Sequence, residues 1–244
     1  MKIKDRLLGA GAVLMCVCAA VGSASFFESR QAGESLAVSA QVFAEEPPVI
    51  ILDAGHGGFD GGCVSVEGVP EKGINLSILL RLRDLLEVSG YEVKVTRDSD
   101  RSIHDEGIEG LANQKSSDMD NRLALFNSES NAVCISIHQN QFTDPVYSGA
   151  QMFYSATDKR SESLARSLQD SFQTLLQPDN SREIKLCGKE LFLCYYSDNP
   201  TVMAECGFLS NPEEAALLNT EEYQEKVALT LFSGLTTYLQ AEPS

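Results

Sequence analysis

The chain contains no tryptophan and only three histidines in 244 residues: His56, His104 and His138. Positive charge is also scarce. Lys and Arg number 19 against 35 Asp and Glu, a formal net charge of −16, with the acidic residues spread rather than blocked. A nucleic-acid partner would call for clustered Lys and Arg to neutralise phosphates, and docking on an anionic lipid surface calls for a polybasic patch. Neither is here, and acidity alone serves solubility. No G-x-G-x-x-G and no Walker lysine-serine pair occurs, which argues against dinucleotide and P-loop phosphate chemistry. The seven cysteines include no Cys-x-x-Cys. Cys16 and Cys18 fall in an N-terminal apolar run. The other five, Cys63, Cys134, Cys187, Cys194 and Cys206, are odd in number, so a disulfide framework is not indicated. A single bridge stays open, and spacing selects no pair for it. Cys134, Cys194 and Cys206 sit in apolar runs and read as small core residues.

The N-terminus is built like an export signal. Lys2, Lys4 and Arg6 precede an apolar run from Leu7 to about Val21, and the small residues Gly22, Ser23, Ala24 and Ser25 follow. Extended to Phe27, the run approaches the roughly 20 residues that span a bilayer. Residues 1–27 therefore read as a signal peptide or an N-terminal membrane anchor, with the remainder outside the cytoplasm. A buried core helix is the competing reading, against which stand the three flanking cations and the uniform apolarity. Residues 28–47 are polar, end at Glu45-Glu46-Pro47, and read as a linker. Residues 48–241 then form one domain, a length suited to a single hydrophobic core in a chain that is 43% apolar. No internal repeat is visible.

Within that domain strands and helices alternate. Val49–Leu52, Tyr91–Thr96, Ala132–Ile137, Gln151–Tyr154, Glu190–Tyr195 and Thr201–Ala204 read as strands. Ile78, Leu79, Leu82, Leu85 and Leu86 mark a helix over Leu76–Val88, with Gly90 as its stop. Met119, Leu123 and Phe126 mark a short helix begun by Ser117 or Asp118. Leu164, Leu168, Phe172 and Leu175/Leu176 give an amphipathic helix. Asn211-Pro212-Glu213-Glu214 opens another. Thr220 caps the last, whose stripe is Tyr223, Val227, Leu231, Leu235 and Leu239. The expected fold is α/β: a twisted, mostly parallel sheet with helices on both faces.

Ligands of such sheets bind outside the carboxyl ends of the strands. His56 and His138 each follow a predicted strand and so fall at that edge. Glu71 opens a helix shortly after the glycine-rich loop of His56, and Glu205 ends the apolar strand Thr201-Val202-Met203-Ala204. A carboxylate there costs several kcal/mol unless it is paired or ligating. Two imidazoles and a carboxylate are usual protein ligands of a catalytic zinc, and a further carboxylate can serve as general base. The spacing thus points to a two-histidine, one-carboxylate metal hydrolase. His104 reads as a surface loop residue.

The motif series sharpens this. Leu52-Asp53-Ala54-Gly55-His56-Gly57-Gly58, Glu71-Lys72, Thr96-Arg97, Ser136-Ile137-His138-Gln139-Asn140 and Glu205-Cys206-Gly207-Phe208-Leu209-Ser210-Asn211 resemble, in order and spacing, the motifs of the zinc-dependent N-acetylmuramoyl-L-alanine amidases across about residues 49–240. Glu106-Gly107-Ile108-Glu109-Gly110 and Ser148-Gly149-Ala150-Gln151-Met152-Phe153-Tyr154 are similar to the germination-specific members of that family in spore formers. The resemblance implies one Zn2+ per chain held by His56, Glu71 and His138, with Glu205 as the catalytic carboxylate. Asp53, Gln139 and Asn140 are candidates for binding substrate or backing the ligands, with Asp53 able to take the second N–H of a ligating histidine. An exchange of roles between Glu71 and Glu205 stays open. The chain departs from the family's usual pattern at Ala54 (usually Pro), Gln139 (often Ala) and Arg182-Glu183-Ile184-Lys185 (an Arg-Gly stretch), which bears on substrate contacts rather than on the metal.

The implied reaction is hydrolysis of the amide between the lactyl group of N-acetylmuramic acid and L-alanine in peptidoglycan. The setting would be spore cortex maturation, with muramic-δ-lactam formation to follow. The implied location is extracytoplasmic, secreted or membrane-anchored, including the forespore envelope, and some relatives work with an accessory lipoprotein. A zinc peptidase acting on stem peptides and a non-catalytic wall-binding protein of the same fold are the competing readings.

Overall fold

The first strand explains much of the architecture. In β1 (Val49–Ala54) every residue after the first is buried, the pattern of a strand covered on both faces. It lies in the computed structural model, which describes residues 47–241, between two parallel neighbours, β2 (Val93–Val95) and β3 (Ala132–Asn140). With β4 (Gln151–Tyr154), β5 (Lys185–Leu186) and β6 (Thr201–Phe208) they form one sheet in the order β2-β1-β3-β6-β4-β5. All pairings are parallel except β4 with β6. The expected mostly parallel sheet is therefore present, with one antiparallel pair turning its edge.

Helices cover both faces. On one, α1 (Glu71–Val88), α3 (Arg160–Ser171) and α6 (Glu221–Ala241) enclose the main core, in which Ile78, Leu82, Leu164, Leu168, Leu231 and Leu235 meet Ile50, Leu52, Ile135 and Val202. On the other, α2 (Leu111–Phe126) and the single-turn helix α4 (Phe192–Tyr196) bury Phe126 and Leu193 against Ile51, Ala132 and Cys134. The short α5 (Pro212–Leu218) is capped as its sequence suggests, with the Asn211 side chain accepting from Glu213 N and Glu214 N, and Thr220 Oγ1 accepts from Tyr223 N at the start of α6.

Four expectations are corrected. Glu190–Tyr195 is not a strand. After the two residues of β5 the chain turns into α4, because a short apolar run does not reveal its period and burial of Leu193 and Cys194 against the sheet decides it. The helix ending at Phe126 begins at Leu111, well before Ser117 and Asp118. Those residues do not cap it but tether the preceding loop: Asp118 Oδ1 accepts from Ile103 N and Ser102 Oγ, and Ser117 Oγ donates to Asp105. β3 and β6 run past their expected ends, so His138 and Glu205 lie within strands rather than beyond them. The helix marked by Leu164 to Leu176 closes in a π-helical turn at Phe172–Leu176. The export segment and most of the linker lie outside the described residues, and among those residues no helix is long and apolar enough to cross a membrane.

Candidate metal centre

Parallel pairing of β1 with β3 places Ala54 beside Ile137, and pairing of β3 with β6 places His138 beside Glu205. Three of the four expected residues thus reach one edge of the sheet from adjacent strands, and α1 delivers the fourth through its first residue, Glu71. The Glu71 carboxylate stands between the two imidazoles, with Oε2 3.2 Å from His56 Nε2 and Oε1 3.0 Å from His138 Nδ1. The rings meet edge to face at 5.0 Å. One ligand atom from each of His56, Glu71 and His138 lies within 4.8 Å of the others.

Local backbone makes this approach feasible. A Cβ at Gly55 would fall 2.2–2.7 Å from the His138 imidazole, so only glycine leaves room for that ring. His56 itself has φ 64°, the sole positive value for a non-glycine residue among the described residues, a conformation uncommon outside glycine. Two fully buried arginines hold the loop there. Arg122 donates to Ala54 O at 2.9 Å and to His56 O at 2.7 Å. Arg97 donates to Ala54 O at 2.9 Å and Gly55 O at 3.0 Å.

Glu71 is oriented from behind. Asn75 Nδ2 and Gln139 N donate to Oε1, and Cys63 N to Oε2. Burial alone would raise its pKa. The hydrogen bonds and charges of His138 and His56 outweigh that and hold the carboxyl far below the usual range. Burial likewise opposes the charged form of His138, but Glu71 lifts its pKa to about 9. Glu205 goes the other way: burial pushes it up to about 7, with His138 pulling down and Glu71 pushing further up. Its Oε2 is shut off from solvent and has no hydrogen-bond partner among the described residues. A buried carboxylate oxygen without a partner is costly and fits an atom that works on a bound reactant.

The remaining expected residues behave differently. Asp53 does not take an N–H from a ligand histidine. It accepts from Arg122 Nη1, Ser136 Oγ and Thr96 Oγ1, and so supports the site through Arg122. The carboxylate beside His56 is instead Asp60, 3.1 Å from Nδ1 and also paired with Lys115. Burial of Asp60 is overridden by Lys115 and His56, which bring it down to about 2. The only hint of it in sequence is its place in the same glycine-rich loop. Gln139 is buried, with Nε2 donating to Asn75. Neither Gln139 nor Asn140 lines the cleft. His104 pairs with Ser102 on the loop.

The cleft holds about 480 Å³ and is lined around His56, His138 and Glu205 by Asp60, Lys115, Met119, Leu191, Phe192, Leu193 and Met203. The donor set, two imidazoles and a carboxylate with a free carboxylate alongside, fits a catalytic zinc.

The family model described as N-acetylmuramoyl-L-alanine amidase matches residues 50–237. The germination-specific N-acetylmuramoyl-L-alanine amidase of Bacillus subtilis (strain 168) is 36% identical over 190 residues, 78% of this chain and 79% of that protein. Among solved structures, the CwlD amidase from Clostridioides difficile in complex with the GerS lipoprotein superposes with a TM-score of 0.76 at 36% identity, covering 80% of this chain and 100% of that one. An N-acetylmuramoyl-L-alanine amidase from Clostridium difficile 630 gives 0.70 at 26%, covering 82% and 100%.

Proposed function

Because the chain belongs to the N-acetylmuramoyl-L-alanine amidase family and shares its action on peptidoglycan outside the cytoplasm, we propose that His56, Glu71 and His138 hold one zinc ion and that Glu205 carries the proton of the hydrolysis. The observation that carries this reading is the meeting of three donor atoms within 4.8 Å beside a carboxylate oxygen that has no hydrogen-bond partner among the described residues. Zinc in such a site polarises a carbonyl as a Lewis acid and lowers the pKa of a bound water to about 7. The protein's own groups supply the rest. Glu205 takes a proton from the attacking water at Oε2 and passes it to the nitrogen of the departing L-alanine. Asp60 fixes the ring of His56 through Nδ1, and Asn75, the Gln139 amide and the Cys63 amide fix Glu71. Leu191, Phe192, Leu193 and Met203 give the cleft a dry wall against which the lactyl-alanine junction is held.

The same reading covers the setting. Residues 1–27 act as an export signal or membrane anchor and 28–47 as a linker to the catalytic domain. Similarity to a germination-specific amidase favours spore cortex at the forespore envelope as the substrate. There, removal of the stem frees the lactyl carboxyl, which closes a muramic-δ-lactam on the amine of the same sugar once that amine has been deacetylated. The solved complex of a relative with a lipoprotein favours an accessory lipoprotein here as well. A zinc peptidase would use the same metal site, so the product decides between them. Zinc-loaded full chain is incubated with purified peptidoglycan and the soluble products are read by mass spectrometry. Intact stems beginning with a free L-alanine amine are expected. Shortened stems with L-alanine still amide-linked would replace this reading with the peptidase.

A further inference from the structure

Beyond the metal centre lies a second pair of chemically competent side chains, Cys187 and Cys194. Both are buried, at 5% and 0% exposure, and share a small cluster with Met203. Consecutive residues of β4 tether them: Cys187 N donates to Tyr154 O at 3.0 Å, and Cys194 Sγ donates to Phe153 O at 3.5 Å. Both are free thiols in the structure, and they lie close enough for each to influence the other's ionisation. Of the buried clusters among the described residues, theirs alone contains two buried cysteines. Cys63, Cys134 and Cys206 each donate to a backbone carbonyl elsewhere. The chain between the pair is Gly188-Lys189-Glu190-Leu191-Phe192-Leu193. Its last four residues line the cleft opposite His56, His138 and Glu205.

We propose that Cys187 and Cys194 are joined by a disulfide in the exported protein, and that this bond fixes the 188–193 wall of the active-site cleft. The compartment favours it, since disulfides form and persist outside the cytoplasm. The reaction is thiol–disulfide exchange. One thiolate attacks the disulfide of a small-molecule or protein oxidant, forming a mixed disulfide and releasing the oxidant's first thiol. The second cysteine, as its thiolate, then attacks the mixed disulfide, forming the Sγ–Sγ bond and releasing the oxidant's second thiol. Two protons and two electrons leave the cysteine pair, and the oxidant's disulfide is reduced to two thiols. Exchange occurs as the chain folds, before the wall closes. Burial in the folded protein raises both thiols, which lowers their reactivity if they are still reduced, and it shields the bond once it has formed.

The bond would join the end of a two-residue edge strand to a single-turn helix across the residues that form the wall. The test uses the full chain, exported from a bacterial host with oxidised glutathione in the medium and purified without reductant. After denaturation and alkylation, a tryptic map should show the peptide ending at Lys189 linked to the one beginning at Glu190. Fragmentation should place the link on Cys194 rather than Cys206, and the two peptides should separate on reduction. In the native protein, trypsin should cut after Lys189 at least tenfold faster once a phosphine reductant has opened the bond, its opening verified by alkylation of both cysteines in a denatured sample. Alkylation of both Cys187 and Cys194 before reduction, or a link to any other cysteine, would overturn the pairing. Equal cleavage at Lys189 with and without reductant would overturn its role in the wall.

Discussion

His56 shows how tightly single residues are constrained in this site. A non-glycine residue with φ 64° costs of order 1 kcal/mol, and the surroundings hold it there through Arg122 on its carbonyl and Asp60 on its ring. His138 is constrained by contact instead, its ring lying against the Gly55 backbone. Two predictions belong at this scale. His138→Ala should weaken zinc binding by at least about 100-fold, a second-ligand loss read by competition with a chromophoric chelator, and full metal occupancy at equal zinc would remove His138 from the ligand set. Gly55→Ala places a methyl group inside the His138 ring volume. Zinc affinity should fall by about tenfold or more while far-UV circular dichroism keeps the wild-type spectrum. Unchanged affinity would mean that the ring can move without consequence. The two histidines were legible in sequence because there are so few and both follow strand-like runs. Asp60 was not, because a loop carboxylate four residues from a histidine looks like any solvated turn residue until the loop is folded. Asp53 was singled out for the wrong partner, since its sequence position beside His56 says nothing of Arg122, 69 residues away.

At the scale of elements, α2 contributes more than a covering helix. Arg122 reaches from it into the sheet edge with 2% side-chain exposure, donating to Asp53, Asp118 and two loop carbonyls. Removing one member of such a buried pair leaves an uncompensated charge, so Arg122→Met should destabilise the fold by about 3–5 kcal/mol in urea unfolding, and a loss below 1 kcal/mol would show the network to be dispensable. The pair also sets an acid limit. Burial alone would raise Asp53, but Arg122, with His138, Ser136 and Thr96, holds its carboxyl below the ordinary range. A depressed folded-state pKa gives stability that is complete above the unfolded value near 4 and is lost as pH falls through the folded value. Melting temperature should therefore drop as pH falls below about 4 and drop less in Asp53→Asn. A parallel decline in both proteins would assign the acid limit to other carboxylates. Elements with long apolar periods, α1, α3 and α6, were readable from the sequence. The helix α4 was not, because Phe192, Tyr195 and Tyr196 favour strands by propensity and packing on the sheet overrode it.

For the whole molecule, the alternation of strands and helices was enough to give the layered α/β sheet and the edge at which the site forms. It could not give the antiparallel β4–β6 pair, which depends on a return of the chain that no local pattern encodes. The sheet's parallel register is what turns three separated motifs into one site: β1, β3 and β6 are neighbours, so His56, His138 and Glu205 arrive at one edge together. The central claim is that this edge is a zinc site in which Glu205 moves the proton without holding the metal. It is tested most directly by comparing wild type with Glu205→Gln for zinc content by atomic absorption and for amide cleavage on the same peptidoglycan. Both proteins should carry equal zinc, one per chain, with the rate of L-alanine amine release lowered by about 10²–10⁴-fold in the variant. Zinc lost together with activity would make Glu205 a ligand, and a variant that cleaves at the wild-type rate would remove Glu205 from the proton transfer.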